Sequence, residues 1–473
     1  MPHRPSTAHA ALGPEFFDAV AAADFPHAIL RHRNQAWAAR IGLDTLCDAE
    51  WIAHFARFTP LPGSFEQPLA LRYHGHQFRS YNPDLGDGRG FLFAQLHDLL
   101  DNRLLDLATK GSGTTPWSRG ADGRLTLKGG VREVLATAML EAQGVNTSKS
   151  LSLIETGEAL QRHDEPSPTR AAVLVRLSHS HIRIGTFQRR AYLRDPESLQ
   201  RLVDHSIRHY MPARWHDAPE TRTAAFYRQV MHNVARMGAQ WMVAGFVHGV
   251  LNTDNINITG ESFDYGPWRW LPTCDPTFTA AYFDHHGLYA YGRQPEALLW
   301  NLAQLGSSLL PIVAKDALIP TLDEFEPTLH AEYATATLRR LALSSRDPDS
   351  DATLARAFAT FLEASQVPFE QAWFDWHTGL ASEARAAKSP AAAHYAHESF
   401  AAVRAALAGY RPAPDARPDH PYFRRPTPCT MLIDEVEAIW APIAEADDWS
   451  RFGQKLAEIE DMADAYGTTP APA

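Results

Sequence analysis

The residues best suited to chemistry lie in one stretch, residues 248–266, which contains Asp254, Asn255 and Asp264. An amide oxygen and a carboxylate are hard donors of the kind that Mg²⁺ prefers, and such a site leaves coordination positions open for substrate phosphates. If Asn255 and Asp264 hold the metal ion, Asp254 stays free to accept a proton. The pattern therefore predicts an oxygen-ligated metal site with a base beside it.

A β-hairpin is predicted to bring the two metal ligands together. Ile256 and Ile258 alternate with a polar residue, which is the period of a half-buried strand, and residues 259–262 are turn formers that precede a return strand. The base of this hairpin would place Asn255 beside Asp264. A run rich in Asn and Asp is also typical of a simple turn, and for this stretch alone that alternative stays open.

A second segment, residues 73–96, contains a glycine-rich turn between a polar run and an apolar run. Gly86 and Gly88 would let backbone N–H groups approach phosphate oxygens. Arg89 follows them and can pair with a phosphate through two hydrogen bonds. A Gly-Asp-Gly sequence is often only a hairpin turn, so this segment alone leaves both interpretations open.

A third segment, residues 106–140, carries Lys110 after an apolar strand and Glu133 at the start of a helix with an apolar stripe. A strand lysine paired with a helix glutamate fixes its ammonium group against nucleotide phosphates. The alternative is a solvated lysine and a glutamate that merely stabilises the first turn of its helix. Asp122 and Gly123 form a further turn between the two residues.

A fourth segment contains two arginines, Arg176 and Arg183, an odd number of residues apart. One unbroken strand would direct them to opposite faces of a sheet. Both can face a phosphate only if the strand breaks or bulges at residues 178–181, and we predict that break. The alternative is one surface arginine and one arginine in a salt bridge.

These segments resemble the SelO (YdiU) family, kinase-like proteins that transfer AMP from ATP to protein hydroxyl groups. The resemblance is carried by "HGVLNTDN…DYGP", "GHQF…LGDGR" and "KGSGTTPWSRGADGR", and it covers roughly residues 60–310. The first of these runs is similar to the catalytic loop of a protein kinase, with Asp-x-Gly in place of Asp-Phe-Gly.

The resemblance implies a role for each candidate residue. Asp254 would be the catalytic base, Asn255 and Asp264 would bind Mg²⁺ or Mn²⁺, and Glu133 would support Lys110. The implied ATP ligands are Gly86, Gly88, Arg89, Lys110, Asp122, Gly123, Arg176, Arg183 and Asp264. The family binds ATP reversed relative to kinases, so that the α-phosphate faces the Ser, Thr or Tyr hydroxyl of a protein substrate.

Local sequence does not decide which phosphorus is attacked. Attack at the γ-phosphorus would make the protein a kinase, and a non-catalytic ATP-binding pseudokinase scaffold is a further alternative.

The chain also departs from the family pattern at three places. Arg79 follows "GHQF" where glycine is expected, His74 replaces a small residue, and residues 129–130 are glycines where polar residues are usual. These departures spare the candidate ligands but bear on substrate access and loop geometry.

Composition and patterning predict an α+β protein with a strand-rich part and a helical part, and the resemblance implies a protein-kinase-like, two-lobed fold. The 473 residues suffice for two substantial cores, and the net charge of −11 argues against nucleic acid as a partner. No apolar stretch is long enough to cross a membrane, and three scattered cysteines do not form a disulfide framework. We therefore expect a soluble cytoplasmic protein with no membrane partner.

Four segments are predicted along the chain. Residues 1–60 are expected to be helical, and residues 61–190 to form a strand-rich N-lobe. Residues 191–330 are expected to form a mostly helical C-lobe that carries the catalytic and metal loop. Residues 331–473 are expected to form a helical extension with a disordered tail.

Overall fold

The computed structural model describes residues 2–163 and 165–469, in which strands and helices are mixed as predicted for an α+β protein. The strands are β1 (Pro5–Ser6), β2 (Phe17–Ala19), β3 (Ile29–Arg33), β4 (Leu69–Leu71), β5 (Gly75–Gln77), β6 (Ser80–Asn82), β7 (Leu92–His97), β8 (Leu104–Lys110), β9 (Leu125–Thr126), β10 (Lys149–Leu160), β11 (Thr169–Ser178), β12 (Phe246–Val247) and β13 (Arg269–Trp270).

Helices dominate the chain after residue 183. They are α1 (Gln35–Arg40), α2 (Asp48–Phe55), α3 (Leu127–Ala142), α4 (Ile184–Tyr192), α5 (Pro196–Tyr210), α6 (Pro219–Ala244), α7 (Gln294–Leu309), α8 (Ile319–Asp323), α9 (Phe325–Arg340), α10 (Pro348–Ser365), α11 (Phe369–Asp375), α12 (Glu383–Ala386), α13 (Phe400–Leu407), α14 (Ile433–Ala446) and α15 (Ser450–Tyr466).

One large sheet organises the N-terminal part of the molecule. In the described residues its strands run in the order β2-β4-β7-β8-β11-β10-β3, with β1 added to β7 and β9 added to β11. The central strands are apolar because both faces of the sheet are covered. Leu174 shares a core with Val134 of α3, whereas Val173 shares a different core with Trp51 of α2. The sheet therefore holds α3, which carries Glu133, against β8, which carries Lys110.

The expectation that residues 1–60 are helical is wrong in part, because the segment also forms strands. Helices α1 and α2 lie here, but β1, β2 and β3 also lie here and join the large sheet. Strand β3 pairs with β10, with His32 opposite Leu153. The partner strand is distant in sequence, so local periodicity gave no signal for this pairing.

The helical part is built around α6, which packs against α7 and α9. Helix α6 ends at Gly245, whose φ of 66° is the left-handed conformation common after a helix C-terminus. The chain then enters residues 248–266, which contain Asp254, Asn255 and Asp264. The predicted helical extension includes α14 and α15, and both contact α3.

The tail was expected to be disordered from residue 468 onwards. Thr468, however, donates a hydrogen bond of 2.8 Å from its hydroxyl group to the carbonyl oxygen of Ala142, at the end of α3. Residues 470–473 lie outside the described residues. Among the helices described, none combines the length and the apolar character needed to cross a membrane.

Candidate active site

Lys110, at the end of β8, lies between two carboxylates. Its Nζ is 2.7 Å from Glu133 Oε2 and 3.1 Å from Asp264 Oδ1. Lys110 and Glu133 are both buried, so the ammonium group depends on these partners in place of water. The predicted pairing of the strand lysine with the helix glutamate is present.

Asp264 is the point on which the polar groups converge. Arg176 Nη1 is 3.2 Å from its Oδ1, and Asn255 donates a hydrogen bond of 3.0 Å from Nδ2 to its Oδ2. Burial by itself would raise the pKa of Asp264, but the surrounding lysine and arginine charges outweigh burial and hold that pKa well below its usual value. The carboxylate is therefore ionised and able to bind a cation.

The predicted hairpin that was to join Asn255 and Asp264 is wrong in its pairing. The segment does not form a two-stranded ladder with itself; Asn257 makes an isolated bridge with Arg183, and Ser262 makes another with Thr147. The backbone pairs with neighbouring elements because they offer donors and acceptors on both sides of it. The turn still returns far enough to bring Asp264 back to Asn255.

Asp254 lies in a short 3-10 helix, Thr253–Asn255, and is buried. Its Oδ1 atom has no hydrogen-bond partner among the described residues. Burial raises the pKa of Asp254 to about 6, although the nearby Arg183 charge opposes this effect. The carboxyl group is thus ionised at neutral pH and has a free oxygen that can accept a proton. A Cβ atom on Gly75 would lie 2.9 Å from that oxygen, so glycine leaves it room.

The predicted break between the two arginines is present. Strand β11 ends at Ser178, and α4 begins at Ile184. Arg176 therefore lies on the strand, while Arg183 immediately precedes the helix. Both arginines lower the pKa of Asp264, so the break lets both charges act on the same carboxylate.

Arg183 is fixed by neighbours that sequence reasoning did not identify. It donates a hydrogen bond of 3.2 Å from Nη1 to the carbonyl oxygen of Asp254, and its Nη2 is 3.6 Å from Asp87 Oδ1. Its guanidinium carbon lies 4.1 Å from the ring centre of Tyr73. Asp87 stands between the two glycines of the glycine-rich turn, which is a usable signal in the sequence, whereas nothing in the sequence distinguishes Tyr73.

Close packing against Trp117 explains why glycines occupy the glycine-rich turn. A Cβ atom on Gly86 would collide with the Trp117 side chain, and one on Gly88 would lie 2.8 Å from the Trp117 carbonyl oxygen. Arg89 is exposed, and its side chain makes no hydrogen bond or ion pair with the part of the chain that the structure describes. Its charge contributes to the low pKa of Asp264, so a free cation lies near the cluster.

Asp122 and Gly123 lie at the edge of this arrangement. The Asp122 carboxylate is 2.8 Å from Arg162 Nη1 and accepts a hydrogen bond of 2.9 Å from the backbone N–H of Arg124. Gly123 has a φ of 68° and contacts Gly113, whose N–H donates a hydrogen bond of 3.2 Å to the Gly123 carbonyl oxygen. No described hydrogen bond or ion pair joins Asp122 to the cluster around Asp264.

The side chains fit a metal ion that takes its remaining ligands from a substrate. Asp264 offers carboxylate oxygens, and the side-chain amide of Asn255 lies beside them with its N–H toward Asp264. To act as a second ligand, this amide would have to turn its oxygen to the same place. The described residues contain no group of three or more His, Cys, Asp or Glu side chains that could hold a metal ion by themselves. Mg²⁺ is usually bound by one or two carboxylates together with water and substrate phosphates, which matches this donor set.

Comparisons with known proteins extend over nearly the whole chain. The model of the family described as "Protein adenylyltransferase SelO" matches residues 3–460. The chain is 45% identical to "Protein nucleotidyltransferase YdiU" of Gloeobacter violaceus over 463 residues, which is 94% of this chain and 92% of the relative. It is 41% identical to the protein of the same name from Trichormus variabilis over 467 residues, 95% of this chain and 94% of the relative.

Proposed function

We propose a reaction for this chain from the premise that it belongs to the SelO family of protein adenylyltransferases and is an enzyme of the nucleotidyltransferase class. The reaction is the transfer of AMP from ATP to a Ser, Thr or Tyr hydroxyl group of a protein substrate. The observation that carries the proposal is the convergence of Lys110, Arg176 and Asn255 on the ionised carboxylate of Asp264.

The triphosphate would bind among the cations of this cluster. Lys110 is held by Glu133, and Arg183 is held by the Asp254 backbone, so both charges are positioned before ATP binds. Arg89 is exposed and can close on the phosphates. Preorganised charges of this kind lower the barrier because they need no reorganisation during the reaction. Gly86, Gly88, Asp122 and Gly123 are proposed to border the nucleotide.

Asn255 and Asp264 would hold Mg²⁺ or Mn²⁺. When bound, the ion would neutralise phosphate charge and orient the triphosphate. The pairing of Lys110 and Arg176 with one Asp264 oxygen and of Asn255 with the other keeps the carboxylate oriented. With its amide turned, Asn255 would supply its oxygen as the second protein ligand.

Asp254 would accept the proton of the acceptor hydroxyl as its oxygen attacks the α-phosphorus of ATP. A bond forms between the hydroxyl oxygen and the α-phosphorus, and the bond from the α-phosphorus to the oxygen that bridges it to the β-phosphorus breaks. Pyrophosphate leaves with the bonding electrons, and AMP remains on the protein substrate. The unpartnered Oδ1 atom of Asp254 and its pKa of about 6 support this role.

The same proposal includes a reversed ATP, which presents its α-phosphate, and a protein-kinase-like arrangement of a strand-rich lobe and a helical lobe. The buried Lys110–Glu133 pair supports the kinase-like arrangement, because kinases use such a pair to position phosphates. The reversed ATP is proposed from membership of the SelO family. We further propose a cytoplasmic location, from the three scattered cysteines, and no nucleic-acid partner, from the net charge of −11.

Separate labelling of ATP on its α- and γ-phosphorus tests the reaction. The protein is incubated with a cell lysate, Mg²⁺ or Mn²⁺, and each labelled ATP. Acceptor proteins that retain only the α-label support AMP transfer. Retention of only the γ-label would make the protein a kinase, and retention of neither label, despite ATP binding, would make it a pseudokinase scaffold.

A further inference from the structure

The turn between β5 and β6 has a strained backbone. Phe78 and Arg79 connect the two strands, and their φ angles are 49° and 63°. A two-residue hairpin turn with positive φ at both positions strongly favours Asn-Gly or Asp-Gly. Here a bulky aromatic residue and an arginine occupy those positions. Such strain persists only where the surroundings impose it, and it marks functional segments more often than others.

The strained turn exposes an aromatic ring, which forms a patch with two others. Phe78, Tyr282 and Phe283 are 38%, 80% and 41% exposed. The ring centres of Phe78 and Phe283 are 5.8 Å apart, and those of Tyr282 and Phe283 are 5.1 Å apart. We call these three residues the Phe78 patch. Contiguous exposed apolar surface of this kind commonly marks an interaction site.

The Phe78 patch is attached directly to the loop that carries Asp254. The backbone N–H of Phe78 donates a hydrogen bond of 3.0 Å to the side-chain oxygen of Asn252. The hydroxyl group of Tyr289, whose ring lies 5.1 Å from that of Phe78, donates to the same oxygen over 2.8 Å. Gly75, at the start of the same hairpin, lies against the Asp254 carboxylate.

The charge of Arg79, at the edge of the patch, is paired. Arg79 Nη2 is 2.8 Å from Glu296 Oε1, and that glutamate is also 3.1 Å from Arg293. The cation that follows Phe78 in the chain is therefore already paired. A partner that lies over the three rings meets apolar surface with a neutralised rim, which favours an apolar side chain over a phosphate or an acidic segment.

We propose that the Phe78 patch binds an apolar or aromatic side chain of the protein substrate, located a few residues from the hydroxyl that receives AMP. This inference rests on the proposed function and adds a specificity determinant to it. When a substrate hydroxyl lies at Asp254, the substrate residues on either side of it lie along the adjacent surface of the enzyme. An extended substrate chain advances about 3.3 Å per residue. The patch adjoins the Asp254 loop, so a flanking side chain can cover it.

The test uses the full-length enzyme, α-labelled ATP and a library of peptides. Each peptide has one Ser, Thr or Tyr acceptor and one apolar residue at a varied offset from it, in an otherwise polar sequence. The wild-type enzyme is expected to label best the peptides with the apolar residue at one or two fixed offsets. Phe78→Asn keeps a residue that tolerates positive φ but removes the ring, and Phe283→Ser removes a second ring.

Both variants are expected to lose about tenfold in kcat/KM for the preferred peptides, a typical cost of removing an interface aromatic residue. Their binding of metal-bound ATP should be unchanged. Ile319→Ser is the matched control, because Ile319 is also 41% exposed but lies in α8; it should label peptides like the wild type. Arg79→Gly relieves strain while it leaves the ring, and it should retain the offset preference.

Three results would overturn the inference. The first is labelling by the wild type with no preferred offset, or equal kcat/KM for Phe78→Asn and the wild type. The second is a self-associated wild-type protein that Phe78→Asn converts to monomers, measured by light scattering, which would make the patch an interface between copies of the chain. The third is a wild type that binds ATP but transfers no α-label to any peptide or protein, which would remove the proposed function as well.

Discussion

Asn255 donates a hydrogen bond of 3.0 Å from its Nδ2 to Oδ2 of Asp264, nine residues further along the chain. The bond holds the side-chain amide of Asn255 beside the carboxylate of Asp264. Lys110 holds the other carboxylate oxygen at 3.1 Å. These contacts link the candidate metal ligands to the candidate triphosphate site.

Asp264→Asn and Asp254→Asn are expected to have different effects. Loss of the Asp264 charge should weaken metal-dependent ATP binding by about 100-fold, because a charge-assisted ligand is lost. Asp254→Asn should bind ATP with near wild-type affinity and slow AMP transfer by about 100-fold or more, because the base is lost. Titration calorimetry with and without Mg²⁺ measures the first effect, and α-label transfer measures the second. Normal transfer by both variants would refute the site assignment.

Glu133→Gln should lower both stability and ATP affinity. The substitution keeps the shape of the side chain but removes the charge that lies 2.7 Å from the buried Lys110 ammonium. We expect the free energy of unfolding to fall by about 2 kcal/mol and ATP binding to weaken, measured by denaturant titration and calorimetry.

Glu437→Gln is the matched control for this pair. Glu437 lies at the same distance, 2.7 Å, from the ammonium of Lys128, but this pair is partly exposed. The control should change stability by less than about 0.5 kcal/mol, since exposed ion pairs contribute little. Equal effects of the two substitutions would show that burial of the Lys110–Glu133 pair has no energetic consequence.

Gly123→Ala should destabilise the protein more than Gly120→Ala. Both glycines have positive φ, 68° and 80°, so an added Cβ atom strains the backbone at each by about 1–2 kcal/mol. Only at Gly123 would that atom also collide with backbone, at Gly113; at Gly120 nothing lies within 4 Å. Thermal unfolding of the two variants isolates the collision, and similar midpoints would contradict the packing described for this turn.

Stability should fall between pH 6.5 and 4, in part because of His377. Burial lowers the pKa of His377 from 6.5 to about 4, although a hydrogen bond to the Arg340 carbonyl oxygen opposes this effect. The folded state therefore keeps this histidine neutral while the unfolded state takes up a proton. Each pH unit lost in this window should cost about 1.4 kcal/mol from this group, and no further loss follows below the folded pKa.

His377→Phe should weaken that pH dependence. His377 stacks on Phe423 with ring centres 4.6 Å apart, so a phenyl ring preserves the packing. The midpoint of thermal unfolding, measured from pH 7 to pH 4, should fall less steeply in the variant than in the wild type. Parallel curves for the two proteins would contradict a neutral His377 in the folded state.

Most residues of the cluster around Asp264 were predicted from the sequence, because the patterns that indicate them are local. Lys110 ends an apolar strand, Glu133 lies in a helix with an apolar stripe, and the break after Arg176 follows from side-chain alternation. Long helices such as α6 were likewise predicted, since their periodicity repeats over many residues.

Contacts between distant segments were not predictable in this way. Tyr73 and Asp87 contact Arg183 across long stretches of chain. Strand β3 is recognisable only through β10, with which it pairs. The predicted hairpin after Asn255 failed for the same reason: Thr147 and Arg183 offered its backbone partners that the local sequence did not reveal.

By itself the sequence determined which side chains are the candidates for the chemistry, because the residue types and the spacing of Asp254, Asn255 and Asp264 are set within one stretch. Only the tertiary structure decided how they are held. The hydrogen-bonding needs of a buried backbone are met by whichever segment folding brings alongside. For the same reason, the low pKa of Asp264 and the raised pKa of Asp254 are properties of burial and neighbouring charge, which exist only in the folded chain.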